Sequence, residues 1–404
     1  MSIGSLPWRR VDLELSGEPG SVSLEPGEGG VAAVLRYEGA LVGFALRARN
    51  ELPDDRLEPE SLISREVRAA IVAERLRARG RGDEVAVCNL SVAICTKDGA
   101  ARVARLLDTL LPLRKETPFE VLVVDNAPSD DTTRQVAESR PDIRYLAEPL
   151  VGLDFARNRA VREATGEVLA FLDDDVVVDP GWARAIARAW ADNPDAGVIT
   201  GLVLPLETET EAQILFELGG GFRRGFLPLR FGQTAPWDAV HPCGAGKFGA
   251  GANMSVDLAL VRSIGGFDEA LDTGRPLPGG GDLDIFYRTL RAGGMLVYEP
   301  RAAVFHEHRR ETPALSRQYG SWGLGLMAFI TKTWRTDPEL RPAQRRLVLW
   351  WLVWMLRRLV ARALGRGAIP AGMICRELMG GIKGLLGEYG RSERRSTWIR
   401  KGTT

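Results

Sequence analysis

The residues best placed for chemistry are three consecutive carboxylates, Asp173, Asp174 and Asp175, which end an unbroken apolar run from Val168 to Leu172. Such a run reads as a buried strand of a parallel sheet. Side chains alternate along an extended segment, so Asp173 and Asp175 point one way and Asp174 the other. Two carboxylates converging at a strand end repel each other unless a cation lies between them. Oxygen ligands suit a hard divalent ion, Mn2+ or Mg2+, with open positions for substrate phosphates. The plain alternative is a solvated acidic turn, because Asp is a common turn residue.

From about residue 88 the chain alternates between strand and helix patterns. Leu90–Cys95, Phe119–Val124, Ile143–Leu146 and Val168–Leu172 read as strands. Ala100–Leu111, Ser129–Arg140 and Phe155–Thr165 read as helices, the second capped by Asp130 or Ser129. This alternation predicts a doubly wound parallel sheet that binds ligands beyond the carboxyl ends of its strands. Polar clusters follow each long strand: Thr96, Lys97 and Asp98; Asp125 and Asn126; Asp173 to Asp175. All three therefore reach one edge of one sheet. No G-x-G-x-x-G opens the first helix and no Walker sequence is present, which disfavours a dinucleotide oxidoreductase or a P-loop enzyme. A diphosphate bound without a glycine cradle needs other neutralisation. A metal at Asp175 would supply it, helped by Arg157 in Gly152-Leu-Asp-Phe-Ala-Arg-Asn158. The alternative for Arg157 is a surface helix arginine.

The bulk properties narrow the classes. A chain of 404 residues buries a substantial core and holds more than one domain. Its 53 basic and 53 acidic residues balance, so nothing suggests a nucleic-acid partner. Met1–Arg10 lacks an apolar segment of the kind that directs secretion. The four cysteines show no metal-type spacing, which fits a reduced cytosolic compartment. Residues 1–85 read as a small α+β accessory domain with a hairpin turning at Glu38-Gly39, a helix over Ser61–Arg79 and a linker at Arg79–Asp83.

Several stretches together resemble the inverting family 2 glycosyltransferases of GT-A fold. They are Ala93-Ile-Cys-Thr-Lys97, Val121-Leu-Val-Val-Asp-Asn-Ala-Pro-Ser-Asp130, Gly152–Asn158 and Leu172–Asp175. The order continues through Gly249-Ala-Gly-Ala-Asn-Met254, Gly265-Gly-Phe-Asp268, Gly280-Gly-Asp-Leu-Asp-Ile-Phe-Tyr-Arg288 and Val304-Phe-His306. The resemblance implies an α/β GT-A (Rossmann-like) nucleotide-diphospho-sugar transferase fold over residues 88–310. Beside it stand the N-terminal unit and a C-terminal helical region, 311–404.

The resemblance also assigns roles. Thr96 and Asp125 would contact the nucleoside of a nucleoside-diphosphate sugar, with Arg157 near its phosphates. Asp173 and Asp175 would form the metal-binding D-x-D, with Asp174 counted among the donor contacts and His306 completing the metal shell or touching the diphosphate. Asp282 falls where the family places the base that deprotonates the acceptor; Gly281 stands where the family usually has Glu. The alternative for Asp282 is the N-cap of a helix through Arg288, and both roles can coexist. On the acceptor side the expected residues are Asn253, Asp284 and, in the variable segment between Gly201 and Gly251, Trp237. That tryptophan could stack on a sugar or be buried. His241 stays unassigned, with a structural role preferred, and His308 is read as a neighbour of His306.

Past Arg310 the composition changes. Arg345-Arg346 and Arg357-Arg358 bracket Leu347–Leu356, which is rich in Trp and shorter than the roughly 20 residues that cross a bilayer. It suits a helix lying in a membrane interface, with basic residues drawn to anionic lipid; packing on the catalytic domain or on a second subunit is the alternative. The expectation is a cytoplasmic enzyme, peripheral on the inner face of the membrane. It would move a sugar to a hydroxyl acceptor, lipid-linked or glycan, in cell-surface polysaccharide or glycolipid synthesis. Two other classes compete with it: a sugar-nucleotide pyrophosphorylase, which needs a glycine-rich basic loop absent from Cys95–Gly99, and a non-catalytic carbohydrate- or lipid-binding scaffold.

Overall fold

The structure is a computed structural model describing residues 5–80, 88–235, 238–274 and 277–402. In chain order the elements are β1 (Trp8–Glu14), β2 (Val22–Ser23), β3 (Gly30–Tyr37), β4 (Ala40–Ala48), β5 (Arg56–Leu57) and α1 (Arg65–Gly80). There follow β6 (Leu90–Thr96), α2 (Ala100–Leu110), β7 (Phe119–Asn126), α3 (Thr132–Glu138), β8 (Ile143–Glu148), α4 (Leu153–Glu163), β9 (Val168–Asp173), β10 (Val176–Val178), α5 (Trp182–Asp192) and β11 (Ala196–Pro205). The chain continues with α6 (Glu211–Leu218), β12 (Leu229–Phe231), β13 (Asn253–Asp257), α7 (Leu258–Ser263), α8 (Gly281–Arg291) and β14 (Met295–His306). Four helices finish it: α9 (Thr312–Thr336), α10 (Arg341–Ala363), α11 (Ala371–Lys383) and α12 (Tyr389–Lys401).

The central sheet runs β10-β14-β11-β13-β9-β6-β7-β8, with β12 also on β14. Strands β8, β7, β6 and β9 are mutually parallel. Beyond them β13 lies antiparallel between β9 and β11, so the sheet is mixed rather than wholly parallel as expected. The physical reason is that the chain leaves β11 at its carboxyl end and returns into β13 at that same edge, without the crossover to the opposite edge that a parallel neighbour requires. Both faces are covered. Val92 and Ile94 of β6 enter one core with α2 and α5, while Ala93 and Cys95 enter the other with α4, α7 and α8. That two-sided burial explains why the strands read as continuous apolar runs.

The N-terminal hairpin turns at Glu38-Gly39, with Tyr37 paired to Ala40. Strand β1 joins it in parallel with β3. This unit is not a detached module. Val34, Leu35, Leu57 and Val67 share a core with Leu202, Leu204, Tyr298 and Phe305 from β11 and β14. The expected linker lies largely outside the described residues. At the other end, α9 and α11 cross at very close range: a Cβ at Gly380 would stand 2.0 Å from the Gly320 carbonyl oxygen. Helix α3 starts after Asp131, with no side-chain cap. Asp130 instead accepts from Thr132, and Ser129 donates its hydroxyl to Asp98.

Candidate active site

Strand pairing brings together carboxylates and a histidine that are far apart in the chain. Strand β9 delivers Asp173 at its carboxyl end. The antiparallel register of β10 on β14 sets Val176 opposite His306, and the Glu307 amide donates to the Asp175 carbonyl at 2.9 Å. The result is a group of Asp173, Asp175 and His306 whose ligand atoms all lie within 4.8 Å of one another. Burial, then the neighbouring Asp175 charge, pushes Asp173 up to about 6. Burial, then Asp174, does the same for Asp175. Burial, then His308, lowers His306 to about 3, so its ring is neutral at ordinary pH. Asp175 Oδ1 is buried and has no hydrogen-bond partner among the described residues, though His306 Nε2 lies only 3.3 Å away. Two carboxylates and an imidazole, close together and short of protons, are a donor set that fits a divalent cation.

Asp174 turns the other way, as alternation requires. It takes two hydrogen bonds from Arg102 of α2, at 3.0 and 2.9 Å, and one from the Thr96 hydroxyl. Both Asp174 and Thr96, expected on the donor, therefore spend polar atoms on each other. Asp125 is fully buried at the end of β7; its Oδ2 accepts from the Tyr145 hydroxyl at 3.2 Å, while Oδ1 has no partner among the described residues. Asn126 pins the approach to α4, accepting from the Gly152 amide and donating to the Leu150 carbonyl.

Arg157 is 5% exposed, which removes the surface-arginine alternative. Its guanidinium donates to Asp154 at 3.0 Å and lies 4.0 Å from Asp272. Burial alone would lower it, but Asp154, Asp173, Asp272 and Asp282 together hold it above its usual range. Arg157 thus sits among the carboxylates of both halves of the site. The backbone makes a second link between them: the Asp173 amide donates to the Ala252 carbonyl at 3.2 Å, and the adjacent Gly251 amide donates to Asp282 Oδ2 at 3.2 Å. Asp282 lies in the first turn of α8, whose N-cap is Gly280. It is therefore not the helix cap, although its Oδ1 accepts from the Leu283 amide.

Two residues expected on the acceptor side differ from that expectation. Asn253 is 1% exposed and fully paired: Oδ1 accepts from the Trp182 indole at 3.0 Å, and Nδ2 donates to the Leu202 and Ala302 carbonyls. It ties β13 to its neighbours. Asp284 is buried between Arg288 and Lys332, each at 2.6 Å, and locks α8 to α9. A carboxylate two residues past Asp282 faces inward, which motif spacing could not convey. Trp237 lies outside the described residues. His241 is held through Nε2 by the Gly232 carbonyl at 2.8 Å, a structural contact.

Residues that sequence reasoning missed include Arg102, Tyr145, Asp154 and Asp272. Asp154 stood inside a recognised stretch, and its burial is the signal that only packing gives. Burial, opposed by Arg157, raises its carboxyl to about 7. Asp272 is pushed well above the usual range, by burial and then by Asp154.

Residues 91–245 match the Glycosyl transferase family 2 profile. The pre-mycofactocin glycosyltransferase of Mycobacterium tuberculosis is 29% identical over 279 residues, covering 67% of this chain and 54% of that protein. The validoxylamine A glucosyltransferase of Streptomyces hygroscopicus subsp. jinggangensis is 33% identical over 279 residues, covering 62% of each. The chain thus spans about half the length of the first of these relatives. Among solved structures, a mannosyltransferase from Pyrobaculum calidifontis in complex with GDP-Man and Mn2+ is 18% identical. It covers 82% of this chain and 92% of that one, with a TM-score of 0.46.

Proposed function

We propose that this chain, which belongs to glycosyl transferase family 2, is an inverting, cation-dependent enzyme that moves a sugar from a nucleoside-diphosphate donor to a hydroxyl acceptor. The observation that carries the reading is the convergence of Asp173, Asp175 and His306, with Asp282 tied to the same strand end through Gly251 and Ala252. Relatives named as a glycosyltransferase and a glucosyltransferase support the reaction class.

Asp173, Asp175 and His306 would hold Mn2+ or Mg2+; the imidazole is softer than the all-oxygen shell Mg2+ prefers, which favours Mn2+. When bound, the cation supplies stabilisation of negative charge on the departing nucleoside diphosphate. Arg157, fixed by Asp154, adds a permanent positive charge beside Asp173. Asp125, buried at the end of β7 and held by the Tyr145 hydroxyl, would shape the nucleoside end of the site from beneath. Asp282 accepts the proton of the acceptor hydroxyl as its oxygen bonds the anomeric carbon and the bond to the diphosphate breaks. Attack on the face opposite the leaving group inverts that carbon. General-base assistance of this kind is worth about 10²–10⁴-fold in rate.

No helix among the described residues is long and apolar enough to cross a membrane. Contact with a membrane surface through α10 completes the reading. Leu347, Trp351 and Met355 pack inward, whereas Leu349, Trp350 and Leu356 are 63%, 55% and 61% exposed. An apolar outer face between pairs of arginines suits the interface of an anionic bilayer, and would bring the site to a lipid-linked acceptor.

The test is a panel of nucleoside-diphosphate sugars screened with MnCl2 for thermal stabilisation, then assayed for transfer. Cation-dependent release of a nucleoside diphosphate with an inverted glycoside is expected. Release of inorganic diphosphate, or no turnover across the full panel, overturns the reading.

A further inference from the structure

We infer that Glu217 and His308 are positioning residues that set the tautomer and aim of His306, so that its bare Nε2 faces Asp173 and Asp175 as a ligand for the divalent cation. This rests on the cation-dependent reading above. Neither residue belongs to the acidic strand end, and Glu217 comes from α6, in the stretch least like the rest of the catalytic region.

The side chain of Glu217 is fully buried, with Oε2 against the Arg223 guanidinium and Oε1 2.8 Å from His308 Nε2. A carboxylate paired with an arginine only accepts, so His308 carries its proton on Nε2. His308 is 3% exposed and packs edge-on against Phe216 and Phe222, with ring centroids 4.5 and 5.9 Å away. Arg223 already balances the Glu217 charge, so a second proton on this buried ring would be an uncompensated charge. Its Nδ1 therefore presents a lone pair, 3.1 Å from Nδ1 of His306. Two bare nitrogens at that separation would repel; a proton lies between them, and His306 supplies it. That makes His306 the Nδ1–H tautomer and leaves Nε2 bare, 3.3 Å from Asp175 Oδ1. There two lone pairs face each other, and Oδ1 has no hydrogen bond among the described residues. A cation between them resolves the repulsion, and the buried carboxylate two rings away keeps the arrangement from relaxing into the other tautomer.

Because the chain has three histidines, labelling them with nitrogen-15 gives a readable set of imidazole signals from the full-length protein. Long-range proton–nitrogen spectra at near-neutral pH report the tautomers, and titration with Mn2+ reports affinity. Wild type is expected to bind Mn2+ and to show His306 protonated on Nδ1 alone in the absence of metal. His308→Phe fits beside Phe216 and Phe222 but offers no acceptor; it should weaken Mn2+ binding about 10–100-fold, the usual loss for an outer-shell partner of a metal-bound histidine, and move the His306 proton to Nε2. His308→Gln, whose amide oxygen can accept from Nδ1–H, should keep most of the affinity. Should His308→Phe fail to fold, Glu217→Gln, of the same shape, is expected to weaken binding and redistribute the His308 proton. Unchanged Mn2+ affinity in the folded variants, with Asp175→Asn abolishing it, overturns the inference alone. His306 protonated on Nε2, singly or with Nδ1, in wild type does the same. A wild-type chain that binds no Mn2+ overturns the cation reading and this inference with it.

Discussion

Gly281 leaves the space that the Asp154 carboxylate occupies: a Cβ at position 281 would stand 2.1 Å from Asp154 Oδ2. The carboxylate beside Asp282 thus comes from α4 rather than from α8, the helix that carries Asp282. Gly281→Ala should push Asp154 off Arg157 and cost about 1–3 kcal/mol, as overpacking of a tight interior does. Thermal unfolding checks the stability, and calorimetry with a nucleoside diphosphate checks the expected loss of affinity. A variant that melts and binds like wild type would show that Asp154 has room to move.

Asp282→Asn should abolish transfer while donor binding with Mn2+ persists, because the amide keeps the side chain's shape but cannot take a proton. The expected fall in turnover is at least about 10²-fold. Full transfer by the variant removes Asp282 as the base.

Asp173 and Asp175, each raised to about 6 by burial and a neighbouring aspartate, make cation binding depend on pH. Ordinary aspartates titrate near about 4, so the metal-free fold holds extra protons between those values. These groups therefore favour the metal-free fold in acid, and that contribution is lost as pH rises through about 6. A cation competes with the same protons. Thermal stabilisation by MnCl2 should be large at neutral pH and shrink below pH of about 6. Stabilisation that does not change across this window would mean that the ion binds elsewhere.

The crossing of α9 and α11 depends on glycine. A side chain at Gly380 would meet the Gly320 carbonyl, and one at Gly323 would meet the Glu377 carbonyl, each at 2.0 Å. Neither obstacle is a flexible side chain, so the helices must part. Gly380→Val should lower thermal stability by about 1–3 kcal/mol or more, read as a lower unfolding midpoint in denaturant.

On α10, Leu349→Glu with Trp350→Glu changes two exposed positions and should leave unfolding within about 0.5 kcal/mol of wild type. Co-sedimentation with vesicles containing anionic phospholipid should be lost. Wild-type protein that ignores such vesicles would sink the membrane assignment directly.

The sequence by itself determined the repeating strand–helix order, the hairpin at Glu38-Gly39 and the alternation that separates Asp174 from Asp173 and Asp175. These depend on local periodicity and turn chemistry, which neighbouring residues set. Tertiary structure alone decided that β13 inserts antiparallel, that the N-terminal unit shares a core with β11 and β14, and that Asn253 and Asp284 face inward. It also decided that Asp154 fills the gap at Gly281 and that Glu217 reaches His306 through His308. Those are matters of register and close packing between segments distant in the chain. No local pattern records which partner will satisfy a buried polar group, because the partner is chosen only when the strands and helices have closed around it.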